Sequence, residues 1–304
     1  MNRKPALTVA AAYLGIVLIW STTPLAIQWS SQGTSFAFAV FARMAIGFVV
    51  ATVVVAVWRI GLPLHARACR AYGLGGLSLF AAMALTYWGA RFIHSGLVSV
   101  LFGLSPLMAS LLAVRWLGER NLGKAQMVGM LLGVLGLGLI FVDGHSLAEG
   151  QAVAGLLALL GAVFLYSVGL VGLKAIADDS PPLSTTVGTL GVALPLFAAL
   201  WWISDGGVPE DLPSRSAAAI GYLGVFGSVI GFALYYYVIK HLDAARIALI
   251  TLITPVLALL LGHWLNGEVI GVRLWIGTAT ILGGLLVHQG ASLRRLIATT
   301  PTSA

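Results

Sequence analysis

Apolar blocks of about twenty residues recur from one end of this chain to the other, and short breaks between them hold nearly all of its charge. Coiled as a helix at roughly 1.5 Å per residue, such a block crosses a hydrocarbon core of about 30 Å. Composition agrees: 59% of the residues are apolar and 9% charged, where a soluble domain carries roughly a quarter charged residues. The chain therefore reads as a polytopic membrane protein in contact with the lipid bilayer. The run that follows Asn2-Arg3-Lys4 continues to about Ile27 without a small-residue cleavage site, so it reads as a retained first helix.

Apolar runs set against charged or Pro/Gly-rich breaks give ten spans: 8–28, 35–58, 70–91, 95–116, 124–142, 150–173, 183–203, 215–240, 244–264 and 271–290. Barrel strands alternate in polarity and need only about ten residues, whereas these blocks are long and continuously apolar, so the predicted class is all-α. With the N-terminus in the cytoplasm, Arg3, Lys4, Arg59, Arg67, Arg70, Arg115, Arg120, Lys124, Lys174, Lys240, Arg246, Arg294 and Arg295 fall inside, and only Arg91, Arg215 and Arg273 fall outside. The positive-inside rule then places both termini in the cytoplasm. This distribution also accounts for the net charge of +7, since the basic residues form no aromatic-studded face for nucleic acid. One cysteine, Cys69, cannot close an internal disulfide, and no Cys/His spacing suits a metal. No cofactor is implied.

Displaced by 149 residues, segment 84–119 aligns without a gap on 233–268. The informative identities are Tyr87 with Tyr236, Pro106 with Pro255, and Gly118-Glu119 with Gly267-Glu268. The chain thus divides into halves, 1–145 and 146–304, of five spans each. An odd number of spans reverses the direction of the second half, giving two inverted five-helix repeats in one membrane domain. Such repeats place a substrate site near the bilayer midplane and expose it to each side in turn.

These residues resemble a family, the ten-helix EamA-type exporters of the drug/metabolite transporter superfamily. The likeness is carried by Trp20-Ser21-Thr22, Phe41-Ala42-Arg43, Pro106, Gly118-Glu119-Arg120 with Gln126 and Gly129, Pro255 and Gly267-Glu268. The resemblance implies an inner-membrane secondary transporter that exports or exchanges small metabolites, amino acids first among them. The second half departs from the first in having Tyr166-Ser167 where the first has Trp20-Ser21.

Arg43 is the one charge well inside a span, roughly 12 Å below the outer end of the second helix. It either holds a substrate carboxylate, which its planar fork suits, or braces helix-end carbonyls and snorkels. Trp20, Tyr87, Tyr166 and Tyr236 combine apolar faces with a polar handle at motif or repeat-related positions, and are cavity candidates as well as ordinary packing residues. Pro106 and Pro255 fall near the middle of their spans, where a missing backbone donor kinks a helix; the pair reads as gating elements or structural bends. Gly129 with Gly133, and Gly227 with Gly231, have the spacing for close helix packing.

None of the ten acidic residues falls inside a predicted span. Glu119 and Glu268 precede the fifth and tenth helices, where a negative charge meets the helix dipole. Proton antiport of cations normally needs a buried carboxylate, so the expectation is facilitated diffusion or exchange with at most weak proton coupling. No convergent acids, metal set or nucleophile with its base suggests an enzyme, and no phosphate-cradling loop suggests a nucleotide. A receptor or scaffold, or a carrier of other amphipathic metabolites or drugs, are the alternatives. Monomer and homodimer stay open.

Overall fold

The structure is a computed structural model that describes residues 3–118, 123–141, 150–242 and 244–290. Every regular element among them is helical. The first three spans are α1 (Arg3–Ser30), α2 (Phe36–Val57) and α3 (Ala66–Gly89), and the fourth divides into α4 (Ser95–Phe102) and α5 (Ser105–Leu117). Then come α6 (Lys124–Phe141), α7 (Gly150–Ile176) and α8 (Pro182–Ser204). The eighth span joins α9 (Ser214–Tyr222), a π-helical segment (Leu223–Ile230) and α10 (Gly231–His241), and α11 (Ala244–Asn266) and α12 (Val272–His288) complete the ten. Eight spans are long apolar helices, and two, within α6 and α12, are shorter.

Two spans are not the single helices expected. Pro106 does not kink the middle of a continuous helix; it occupies the first turn of α5, where a missing N–H costs nothing. Its ring is incompatible with a helical carbonyl four residues earlier, at Phe102, and α4 ends there. Pro255, by contrast, lies inside the unbroken α11. The repeat-related prolines therefore have different consequences, although they meet: the Pro255 ring lies 3.8 Å from where a Cβ on Gly103, in the break of span four, would sit.

The helix contacts follow a two-fold pattern. Spans two and seven, four and nine, and five and ten pair with each other. The pairing of three with six is matched by one with eight, three with seven by two with eight, and four with six by one with nine. The correspondence reaches single residues. A Cβ on Gly15 would meet Leu234 Cδ1 at 3.0 Å, and one on Gly161 would meet Leu85 Cδ1 at 3.3 Å. Likewise Gly224 packs on Ile46 and the Arg43 carbonyl, and Gly76 packs on Val192 and the Thr189 carbonyl. Thr189 thus stands in the second half where Arg43 stands in the first.

The short spans five and ten cross through glycine. A Cβ on Gly136 would lie 2.6 Å from the Gly277 carbonyl oxygen, and Gly129 faces Gly284 in the same way. Bare backbone lets α6 and α12 approach closely enough for dispersion to act along their length, which is what drives association where lipid is as apolar as the helices.

Candidate functional site

The Arg43 side chain is 6% exposed and points from α2 into the bundle. Its Nε donates to Ser228 Oγ at 3.3 Å, and Nη1 makes a long contact of 3.5 Å to the Tyr87 hydroxyl. Ser228 donates its own proton to the Leu223 carbonyl at 3.0 Å, which turns its lone pairs toward the guanidinium. The π-helical turn sets this register: its wider winding brings Ser228 under its fifth predecessor, and such turns recur at functional sites. The partners are neutral hydroxyls rather than helix-end carbonyls, and no described carboxylate pairs with Arg43.

Gly227 and Gly231, one turn apart, lie where span eight packs on α2 and α1. A Cβ on Gly227 would lie 3.2 Å from Arg43 Nη2, and one on Gly231 would lie 3.5 Å from Trp20 Nε1. They clear room in span eight for the two side chains. Trp20 packs on Tyr235 with centroids 4.9 Å apart. Thr22, one half-turn on, shares a hydrogen bond of 2.6 Å with the Tyr222 hydroxyl. Trp20 and Arg43 are thereby gathered along span eight with Ser228, which the sequence did not single out, and Tyr87 joins them through Arg43. The Gly221, Gly224, Gly227, Gly231 series was the one signal for it.

Tyr87 is fully buried, and it is also among the residues that line a cavity of about 370 Å³. The end of α1 supplies Ile27 and Gln28 to this cavity, the turn after it supplies Ser31 and Gln32, and Ala90 and Arg91 follow the end of α3. The cavity therefore lies at the end of the bundle opposite the N-terminus, hereafter the distal end, and Tyr87, whose hydroxyl Arg43 Nη1 contacts, is among its lining residues.

The remaining candidates sit elsewhere. Tyr166 on α7 packs edge-on against Phe102 at the end of α4, with centroids 5.8 Å apart. Its neighbour Ser167 donates to Val163 O at 2.8 Å and, more weakly, to Ser105 O at 3.3 Å across the break in span four. With Pro106 and Pro255 this forms a second group around that break, and no described contact joins it to Arg43. Tyr236 belongs to α10, but its side chain lies outside the described residues, as does Glu119.

Glu268 departs most from expectation. It does not attend the α12 helix dipole; it is 7% exposed, and its Oε1 accepts from the backbone N–H of Ser95, the first residue of α4, at 3.1 Å. The left-handed Gly267 (φ +66°) turns the chain back so that Glu268 N–H reaches the Gly262 carbonyl at 3.2 Å, folding the side chain inward over the end of α11. Lying outside a span did not keep this carboxylate at the surface. Among the described residues no group of three or more His, Cys, Asp or Glu is placed to hold a metal.

Ten helical spans in two structural repeats around buried polar side chains define a membrane carrier. The chain belongs to the EamA-like transporter family, whose sequence pattern it matches twice, over residues 7–142 and 153–288. It is 27% identical over 294 residues to a probable terminal-alkyne amino-acid exporter of Streptantibioticus cattleyicolor, covering 94% of this chain and 95% of that one. It is 26% identical to the uncharacterized transporter YyaM of Bacillus subtilis, over 71% of this chain and 72% of the relative. The inner membrane transporter YedA of Escherichia coli is 26% identical over 62% of this chain and 60% of its own length. A crystal structure with 22% sequence identity superposes with a TM-score of 0.65 over 93% of this chain and 98% of its own, a likeness of fold. The chain is thus a multi-pass membrane transporter.

Proposed function

We propose that this transporter exports or exchanges amino acids and similar small amphiphiles by alternating access, and that Arg43 holds the substrate carboxylate. One observation carries the reading: a buried guanidinium whose described partners are two neutral hydroxyls. Burying a cation without a counter-charge is costly, and the cost falls when an anion arrives with matching geometry. A guanidinium offers five donors in a planar fork, and Ser228 and Tyr87 engage two of them. Gly227 leaves the space beside Nη2 free of a side chain. The exporter from Streptantibioticus cattleyicolor, similar along nearly its whole length, adds support for amino acids as the substrate class. The repeats, each of five spans, supply oppositely directed halves of a rocking bundle.

In proteoliposomes, radiolabelled amino acids should equilibrate faster than their amides. A flat response to a broad amino-acid panel would remove this reading and favour a carrier of other metabolites, or a scaffold.

Export further requires that the distal end face away from the cytoplasm. Cysteines introduced by Gln32→Cys and Gly207→Cys in a Cys69→Ser background are exposed at that end and avoid the left-handed Gly33 and Gly206. Both should react in intact cells with a membrane-impermeant maleimide. Protection of both until the membrane is permeabilised would reverse the orientation.

A further inference from the structure

The distal end is tied across the two repeats by a chain of polar side chains. Gln28 of α1 donates to the carbonyls of Ala90 and Ile93 at 3.1 and 2.6 Å, and its Oε1 accepts from Asn266 at 3.3 Å. Asn266 accepts from Trp29 Nε1 at 3.1 Å and donates to Glu268 Oε1 at 3.0 Å. That same oxygen takes the Ser95 N–H. Glu268 is where the α11–α12 turn grips the start of α4, and through Asn266 and Gln28 its hold extends to the wall of the cavity.

The second oxygen, Oε2, is buried with no hydrogen-bond partner, and Ser95 Oγ nearby is in the same condition. Both border the space beside Gly262: a Cβ there would lie 2.8 Å from Ser95 Oγ and closer still to Oε2. With one oxygen spent on two donors and the other bare in a buried position, Oε2 is the atom on which a proton would sit.

The charged and titratable groups on the surrounding elements do not neutralise it. Arg91 and His94 precede α4, His263 is on α11, Arg215 on α9 and Arg273 on α12, while α1 offers only the neutral Gln28 and Trp29. The Arg215 guanidinium lies 3.8 Å over the Trp29 ring and contacts Leu265 O, Arg91 lies over Phe36 and Phe92, and His263 Nδ1 meets the Glu268 backbone oxygen at 2.8 Å. No described cation is within ion-pair distance of the Glu268 carboxylate.

We propose that Glu268 is a proton-binding site that latches the distal end closed as a carboxylate and releases it when Oε2 takes a proton from water at that end. As an anion it receives charge-assisted bonds from Ser95 N–H and Asn266, reinforced by the positive end of α4. A proton on Oε2 removes the charge, both bonds weaken to neutral strength, and α4 and α1 part from the α11–α12 turn. Acidification on the distal side thus favours opening. Proton linkage resides in a turn, which is why the absence of acids from the spans does not exclude it.

The test is thiol access to the cavity wall in purified protein. Ala90, 2% exposed, becomes the reporter as Ala90→Cys in Cys69→Ser, and each rate is normalised to Gly207→Cys at the same pH. As pH falls from about 6 to about 3.5, through the ordinary carboxylate range, the normalised rate should rise on the order of tenfold, the change expected when one charge-assisted hydrogen bond is lost. Adding Glu268→Gln should give the fast rate at every pH, while His263→Gln and His94→Gln keep the pH response. A rate independent of pH in the parent overturns the proposal, as does an unchanged pH response in Glu268→Gln. If the Gln variant does not fold, Glu268→Asp decides: a displaced midpoint supports the site, and an unmoved one overturns it. Substrate does not enter the measurement, so its outcome is independent of the role given to Arg43.

Discussion

Replacing Arg43 with alanine is expected to cut transport of carboxylate-bearing substrates by roughly 30-fold to 5000-fold, the range seen when one partner of a buried, hydrogen-bonded charge pair is removed. The protein should remain folded, because the structure leaves no carbonyl depending on this side chain. Ser228 keeps its bond to Leu223 O, and Tyr87 loses only a long contact of 3.5 Å. Arg43→Lys should fall between the two, retaining the charge but losing the fork that engages two oxygens at once. An apparent affinity that weakens in the order Arg, Lys, Ala for acids, with little change for amides, identifies the carboxylate as the group recognised. Equal losses for acids and amides at normal expression would remove Arg43 from substrate binding.

The sequence disclosed the spans because crossing a bilayer is a one-dimensional requirement of length and polarity, and each of the ten predicted spans overlaps an observed one. The repeat was legible for a related reason: Leu85 and Leu234, within the 149-residue offset, pack on Gly161 and Gly15 in matching ways. Facing was not legible. Gly227 and Gly231 carry the spacing of a packing motif and do lie against α2 and α1, but the spacing did not say that the side chains they make room for are Arg43 and Trp20. Spacing fixes which residues share a face, and only tertiary structure fixes what the face meets. The division of span four was half visible, since Pro106 announced a disruption while its form depended on Gly103 and on Pro255 opposite. Glu268 was misplaced for a different reason. Its position past the end of α11 says nothing of depth when a left-handed glycine folds the turn back into the bundle.

Gly136→Leu should abolish the recovery of folded, monodisperse protein, whereas Gly138→Leu, two residues along the same helix, should leave it unchanged or raise the unfolding temperature slightly. A Cβ at 136 would lie 2.6 Å from the Gly277 carbonyl oxygen and 2.7 Å from Ile281 Cγ1, and the first of these is backbone that cannot rotate away. Filling a packed site with extra methylenes costs about 1–3 kcal/mol when side chains can adjust, and more where the backbone must move. Here the only relief is to separate α6 from α12, and neither makes another contact of comparable extent in the bundle. At Gly138 the added side chain meets nothing within 4 Å and enters the lipid-facing surface, while a helix gains roughly 0.5–1 kcal/mol on losing glycine. Gly284→Leu and Gly283→Leu repeat the comparison from the other helix: Gly284 faces the Gly129 carbonyl, and Gly283 faces open space. Thermal unfolding in detergent separates the cases, and equal stability for the 136 and 138 variants would show that the glycine crossing does not hold spans five and ten together.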